Sequence, residues 1–228
     1  MDAGENSKQA AARAALAYVP ESGVVGLGTG STARYFIEEI GRLVASGRDL
    51  CGVVTSEQSR KQALGLGIPL LGDDDAWDIA VCVDGADEVS AEFDLIKGGG
   101  AAHTREKIVN RHSRSNVIVV DESKLSRHLG EKWPVPLEVL PFGLASTLKV
   151  LAEFGRVTLR EKLGLPVVTD SGNRVVDLAA GVIERPRELD QALRSVPGVV
   201  ETGLFCGRAD VVLVGGPDGV RALTPRRS

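Results

Sequence analysis

Val24-Val25-Gly26-Leu27-Gly28-Thr29-Gly30-Ser31-Thr32-Ala33 runs from an apolar stretch through a glycine-rich turn. The first four residues predict a short buried strand. Residues 31–45 predict an amphipathic helix, because Phe36, Ile37, Ile40, Leu43 and Val44 fall on one stripe. A buried strand feeding a helix through glycines is the repeating unit of an open α/β sheet, and its strand-to-helix turn is where anions bind.

The same alternation continues on either side. Upstream, Ala11, Ala14, Ala15, Tyr18 and Val19 recur at helical spacing over residues 7–19. Downstream, strands are expected at 51–55, 79–83 and 116–120, with helices at 57–64 and 104–112. Near-continuous apolar strands alternating with helices predict the α/β class, a parallel sheet with helices on both faces. Beyond Trp133-Pro134-Val135-Pro136 the pattern changes, with helices at 144–153 and 187–194 and strands at 156–160, 174–178 and 199–204. The order strand, helix, two strands, helix, strand predicts a smaller α+β, ferredoxin-like unit. Ala209 to Val214 is again apolar and returns to the first domain. The expected boundaries are 1–130 with 207–228 for the larger domain and 131–206 for the smaller.

A chain of 228 residues with 43% apolar and 25% charged residues suits a globular protein with a proper core. Its formal charge of −4 gives no electrostatic footprint for nucleic acid, and the ending Arg226-Arg227 is too short to change that. The apolar runs are too short to span a bilayer, and residues 1–15 lack the apolar core of a signal peptide. A cytoplasmic location without membrane partners is the expectation. Cys51, Cys82 and Cys206 sit in or beside apolar runs and read as small core residues. His103, His112 and His128 lack metal-ligand spacing, so no metal site is expected.

Four segments carry more chemistry than a core requires. Thr29, Gly30, Ser31 and Thr32 offer hydroxyls and amides at a helix start, which suits a terminal phosphate. Gly28, Gly30 and Ala33 also satisfy a loose dinucleotide fingerprint, but the next strand ends in Val54-Thr55-Ser56 and supplies no ribose-binding carboxylate. Asp84-Gly85-Ala86-Asp87-Glu88 follows the third strand, at the edge where such sheets bind ligands. Its carboxylates suit hydroxyl binding or proton shuttling. Lys97-Gly98-Gly99-Gly100 joins a cation to a run whose free amides can form an oxyanion nest. Glu106 falls in the first turn of the following helix, with Thr104 as its expected cap. It is either a dipole-complementing acid or a general base. His103 reads as a polar loop residue, and Lys124 closes another apolar strand at the ligand edge.

Together these segments resemble the A-type ribose-5-phosphate isomerases. Later stretches share the resemblance: Pro197-Gly198-Val199-Val200, Gly203-Leu204-Phe205, Ala209-Asp210-Val211 and Pro217-Asp218-Gly219-Val220. The similarity spans nearly the whole chain, and His103 departs from it where an apolar residue is expected. The resemblance implies a Rossmann-like, mostly parallel domain plus a smaller α+β domain. It also implies interconversion of ribose 5-phosphate and ribulose 5-phosphate through an enediol, without metal or organic cofactor. Glu106 would be the general base, and Lys97 with the amides of Gly98, Gly99 and Gly100 would stabilise the oxyanion. Asp84, Gly85, Ala86 and Asp87 would bind hydroxyls, with the two aspartates assisting ring opening. Thr29, Gly30, Ser31, Thr32 and Lys124 would hold substrate, chiefly its phosphate, with Lys8 as a further contact. A homodimer or homotetramer is implied. A related sugar-phosphate deaminase or acyl-CoA transferase, and a non-catalytic sugar-phosphate sensor, stay open at this point.

Overall fold

The computed structural model describes residues 3–225, so Arg226-Arg227 lies outside the described residues. The helices are α1 (Ala3–Ala14), α2 (Ala33–Ala45), α3 (Glu57–Gly65), α4 (His103–Arg111), α5 (Leu144–Leu151) and α6 (Pro186–Arg194). The strands begin with β1 (Gly23–Leu27), β2 (Leu50–Val54), β3 (Ile79–Asp84), β4 (Glu88–Val89) and β5 (Leu95–Ile96). They continue with β6 (Asn116–Asp121), β7 (Val135–Val139), β8 (Arg156–Leu159), β9 (Glu161–Lys162) and β10 (Leu165–Pro166). The last are β11 (Arg174–Ala179), β12 (Val199–Thr202), β13 (Leu204–Phe205), β14 (Val211–Gly216) and β15 (Gly219–Leu223).

The chain divides into two compact units. The first comprises residues 1–85, 105–124 and 208–228, and the second residues 86–104 and 125–207. The first holds a six-stranded sheet in the order β15-β14-β6-β3-β1-β2. All neighbours are parallel except the edge strand β15, which returns antiparallel to β14. Alternation along the strands sorts their side chains to two faces. Val25, Leu27, Val81, Val83, Val117, Val119 and Leu213 join Ala11 of α1, Ile37 and Ile40 of α2 and Ala63 of α3 in one core. Cys82 and Ile79 instead pack with Val109 of α4. Helices therefore cover both faces, as the apolar runs predict.

Helix α1 begins earlier than the apolar spacing indicates, and a 3-10 turn over Ala15–Tyr18 replaces its expected end. Glu5 and Asn6 form helix without contributing to an apolar stripe, so periodicity does not register them.

The second unit contains a four-stranded antiparallel sheet in the order β12-β7-β11-β8. With α5 and α6 this is the βαββαβ order of a ferredoxin-like unit. Its opening strand is β7, and Val135, Leu137 and Val139 reach its core beside Val176, Leu178 and Leu193. A second, three-stranded sheet has the order β13-β5-β4. Residues 86–104 and 125–130 thus belong to the second unit, not to the parallel-sheet domain expected from the sequence. The cause is pairing: β4 and β5 are antiparallel to each other, and β5 pairs with β13. The fully buried Glu88 adds to this by accepting the amides of Gly130 at 2.9 Å and Lys132 at 3.0 Å.

Candidate active site

In the first unit, the loops after β1, β3 and β6 leave the carboxyl ends of three adjacent strands. Asp84, only 4% exposed, is the last residue of β3. Its Oδ1 accepts the Thr29 amide at 3.0 Å and the Gly85 amide at 2.7 Å. A Cβ on Gly28 would collide with that carboxylate, so the glycine is required by close approach. The acidic turn and the glycine loop, far apart in sequence, are one structure.

The Thr29 hydroxyl is committed to its neighbours. Its Oγ1 lies 2.7 Å from Thr55 Oγ1 and Ser56 Oγ and 3.2 Å from Ser59 Oγ. Ser59 in turn donates to the Gly28 carbonyl at 2.7 Å. This hydroxyl cluster fixes the loop from below and includes three residues that the sequence reading did not single out. The signal for them was the Thr55-Ser56 pair closing an apolar strand. Gly30 and Ser31 are exposed, while Thr32 is buried before α2 and makes no side-chain capping bond. The hydroxyls suited to an anion are therefore those of Ser31 and Thr32.

Lys124 ends a 3-10 turn directly after β6. Lys8 lies on α1, ion-paired with Glu5 at 3.5 Å. A Cβ on Gly215 would collide with the Ser7 carbonyl, which sets this turn of α1 against the carboxyl-terminal part of β14. Glu106 stands in the first turn of α4 and is 3% exposed. Beside it, Arg105 donates to Glu57 at 3.1 Å, tying α4 to the first turn of α3, whose cap is Ser56.

The second unit holds the remaining candidates. Lys97 follows β5 and is 3% exposed, with its Nζ 5.4 Å from the Phe205 ring centroid, a cation–π distance. The strand before it, β5, belongs to the three-stranded sheet, not to the parallel-sheet domain expected for residues 1–130. Asp87 Oδ2 accepts the Gly99 amide at 2.6 Å, and the Asp87 amide donates to Ile96 at 2.8 Å. Gly98 has φ +110°, and a Cβ there would lie 2.7 Å from His103 Nδ1. His103 is not a polar loop residue: it is the first residue of α4, fully buried beneath the glycine run. Thr104 lies inside the helix, not before it, and its hydroxyl donates to Glu138 at 2.5 Å.

Glu138 is a buried carboxylate satisfied by neutral donors, with Thr169 at 2.9 Å and Asn173 at 2.7 Å completing the set. Among the described residues no cluster of histidine, cysteine or carboxylate side chains has the arrangement of a metal site. None of the three cysteines forms a disulfide, and burial pushes Cys51 up from its ordinary pKa. No helix among the described residues is long and apolar enough to cross a membrane.

The family model of ribose 5-phosphate isomerase A (phosphoriboisomerase A) matches residues 51–219. A ribose-5-phosphate isomerase A of Thermococcus kodakarensis is 45% identical over 224 residues, covering 96% of this chain and 98% of that one. A solved D-ribose-5-phosphate isomerase in complex with phospho-erythronic acid superposes with a TM-score of 0.94 at 40% identity, covering 98% of this chain and 100% of that one. The Plasmodium falciparum ribose 5-phosphate isomerase gives 0.93 at 33% identity, covering 98% and 100% respectively. The chain shares an α/β fold, with a mostly parallel sheet and a smaller antiparallel one, with these structures. It belongs to the ribose 5-phosphate isomerase A family.

Proposed function

We propose that the protein is a ribose-5-phosphate isomerase interconverting D-ribose 5-phosphate and D-ribulose 5-phosphate through an enediol, a step of pentose phosphate metabolism. The observation that carries this reading is the full-length similarity to ribose-5-phosphate isomerases from distant organisms. In the open-chain aldose, Glu106 takes the proton from C2 and the electron pair forms the C1–C2 double bond. Negative charge develops on O1, where Lys97 and the amides of the glycine run stabilise it. The O2 proton then passes to O1, through solvent or a neighbouring carboxylate, as C2 becomes the carbonyl and Glu106 returns its proton to C1. The product is the isomeric ketose, with no net oxidation, so the step requires no redox cofactor. Burial keeps the Glu106 proton from exchanging freely with water between its two transfers.

Asp84 and Asp87 bind hydroxyls and move the proton that opens the sugar ring. Each carboxylate is already aligned by a backbone amide, Thr29 for one and Gly99 for the other. Gly85, Ala86 and Gly98 to Gly100 complete the backbone lining. Gly30, Ser31, Thr32 and Lys124 hold the phosphate, with Lys8 as an outer contact and Thr29 acting mainly by shaping the loop.

The test is direct. Purified protein treated with EDTA should convert ribose 5-phosphate to a ketose. Saturable binding without turnover would favour a sugar-phosphate sensor instead. We further propose a cytoplasmic homodimer or homotetramer, as the family implies, which light scattering of the purified protein would check. A monomer at assay concentration would overturn it.

A further inference from the structure

The glycine run has a support that the isomerisation chemistry leaves unassigned. Arg160 directly follows β8, whose Thr158 pairs with Asp177 and Leu159 with Val176 of β11 in the four-stranded sheet. Its backbone amide donates to Val175 at 2.9 Å. Its guanidinium binds both Asp177 oxygens, Nε to Oδ2 at 2.8 Å and Nη2 to Oδ1. The pair is mostly buried, with side-chain exposures of 17% and 21%. The remaining terminal nitrogen, Nη1, donates to two successive carbonyls, Gly98 at 2.7 Å and Gly99 at 3.1 Å.

The consequence follows from peptide planarity. In a trans peptide the carbonyl and the next amide point in opposite directions. The peptide joining Gly98 to Gly99 therefore has its oxygen on Arg160 and its N–H on Asp87 Oδ2. The next peptide has its oxygen on Arg160 as well, which turns the Gly100 amide away from the guanidinium. A cation on each carbonyl also polarises the peptide and strengthens its N–H as a donor. A Cβ on Gly99 would lie 2.5 Å from Asp87 Oδ1, so the arrangement excludes a side chain at that position.

We infer that Arg160, oriented by Asp177, is a positioning residue for the isomerisation, fixing the direction and strength of the Gly99 and Gly100 amides and the orientation of Asp87. It acts through the glycine run and touches no substrate. The inference rests on the isomerase reading, and the experiment separates the two. In the full-length protein, Arg160→Ala should lower kcat by roughly 10–10²-fold, less than loss of a direct oxyanion donor. KM should change much less, because the binding groups remain. Added methylguanidinium should restore part of the lost kcat. Arg160→Lys should recover little, since one ammonium cannot span a carboxylate and two carbonyls. Amide hydrogen exchange over residues 97–101 should accelerate in Arg160→Ala.

Unchanged exchange in that segment would overturn the inference whatever the kinetics. Faster exchange with kcat within twofold of wild type would also overturn it, leaving Arg160 a structural residue. Failure of the folded wild-type protein to isomerise ribose 5-phosphate would instead remove the isomerase reading, and with it the catalytic part of the inference. The exchange result would still report whether Arg160 orders the loop.

Discussion

Thr29 and Asp84 are joined by a 3.0 Å hydrogen bond from backbone amide to carboxylate, across the ends of two adjacent parallel strands. The contact exists because residue 28 has no side chain. A Gly28→Ala substitution places a methyl group against Asp84, with its Cα only 2.6 Å away. We expect a loss of about 1–3 kcal/mol from overpacking. Since the strain falls on Asp84, kcat/KM should fall as well. Thermal melts and steady-state kinetics on the same preparation check both, and an unperturbed protein would contradict the contact.

Glu106→Gln keeps the size and polarity of the side chain but removes the base. It should lower kcat by at least about 10²-fold while the melting temperature stays close to wild type. Near wild-type turnover would remove Glu106 from the proton-transfer role.

Lys97→Met preserves most of the packing against Phe205 but deletes the charge. If Lys97 stabilises the oxyanion, kcat should drop roughly 10²–10³-fold. An effect confined to KM would assign the lysine to substrate binding equal in ground and transition states.

Glu138→Ala leaves the Thr104 and Thr169 hydroxyls and the Asn173 amide without their common acceptor. Thr169 is buried and Thr104 and Asn173 half-buried, so at about 1 kcal/mol for each stranded donor, the low end of the range, the loss should reach about 3 kcal/mol. For a chain of this size that corresponds to a fall in Tm of roughly 6–12 °C. Differential scanning calorimetry measures it, and a shift under about 2 °C would show that water replaces the carboxylate.

Asp94 supplies a pH test. Burial raises its pKa above the ordinary value, although the Gly207 amide and Arg187 partly oppose this. The folded state therefore holds the proton more tightly than the unfolded chain. Stability contributed by this group is present below the unfolded value and is lost as pH rises through the folded one. Asp94→Asn removes that titration and keeps an acceptor for the Gly207 amide. The Tm difference, variant minus wild type, should be near zero at pH 3 and become positive towards pH 7. A difference that does not change with pH would refute the shift.

The parallel sheet was legible because its strands are buried on both faces and read as unbroken apolar runs. Strand β7 was not, because Pro134 and Pro136 suggest a break. Pro136 nonetheless sits in an interior strand, where its carbonyl accepts the Gly203 amide at 2.6 Å. Strand β15 was hidden because it is short and none of its residues is fully buried, and β4, β9, β10 and β13 by having two residues each. The acidic loop, the Lys97-glycine run and Glu106 stood out because no core needs them. Arg160, Asp177 and Glu138 did not, since their partners are set by strand pairing between distant residues. A faint signal existed: Asp177 and Glu138 each interrupt an otherwise apolar strand.

The packing of Ser7 against Gly215 has a consequence for the order of folding. One member of that contact belongs to the first helix and the other to the penultimate strand, so the chain between them must be made before they can meet. Until residues 211–216 emerge, β6 lacks its outer neighbour and α1 lacks part of the surface it packs on. The nascent chain therefore carries an open, strongly apolar sheet edge for most of its synthesis. Such late, non-local closure slows folding and exposes intermediates to aggregation. Truncation just before Val211 should give a protein that aggregates, not a slightly shortened enzyme.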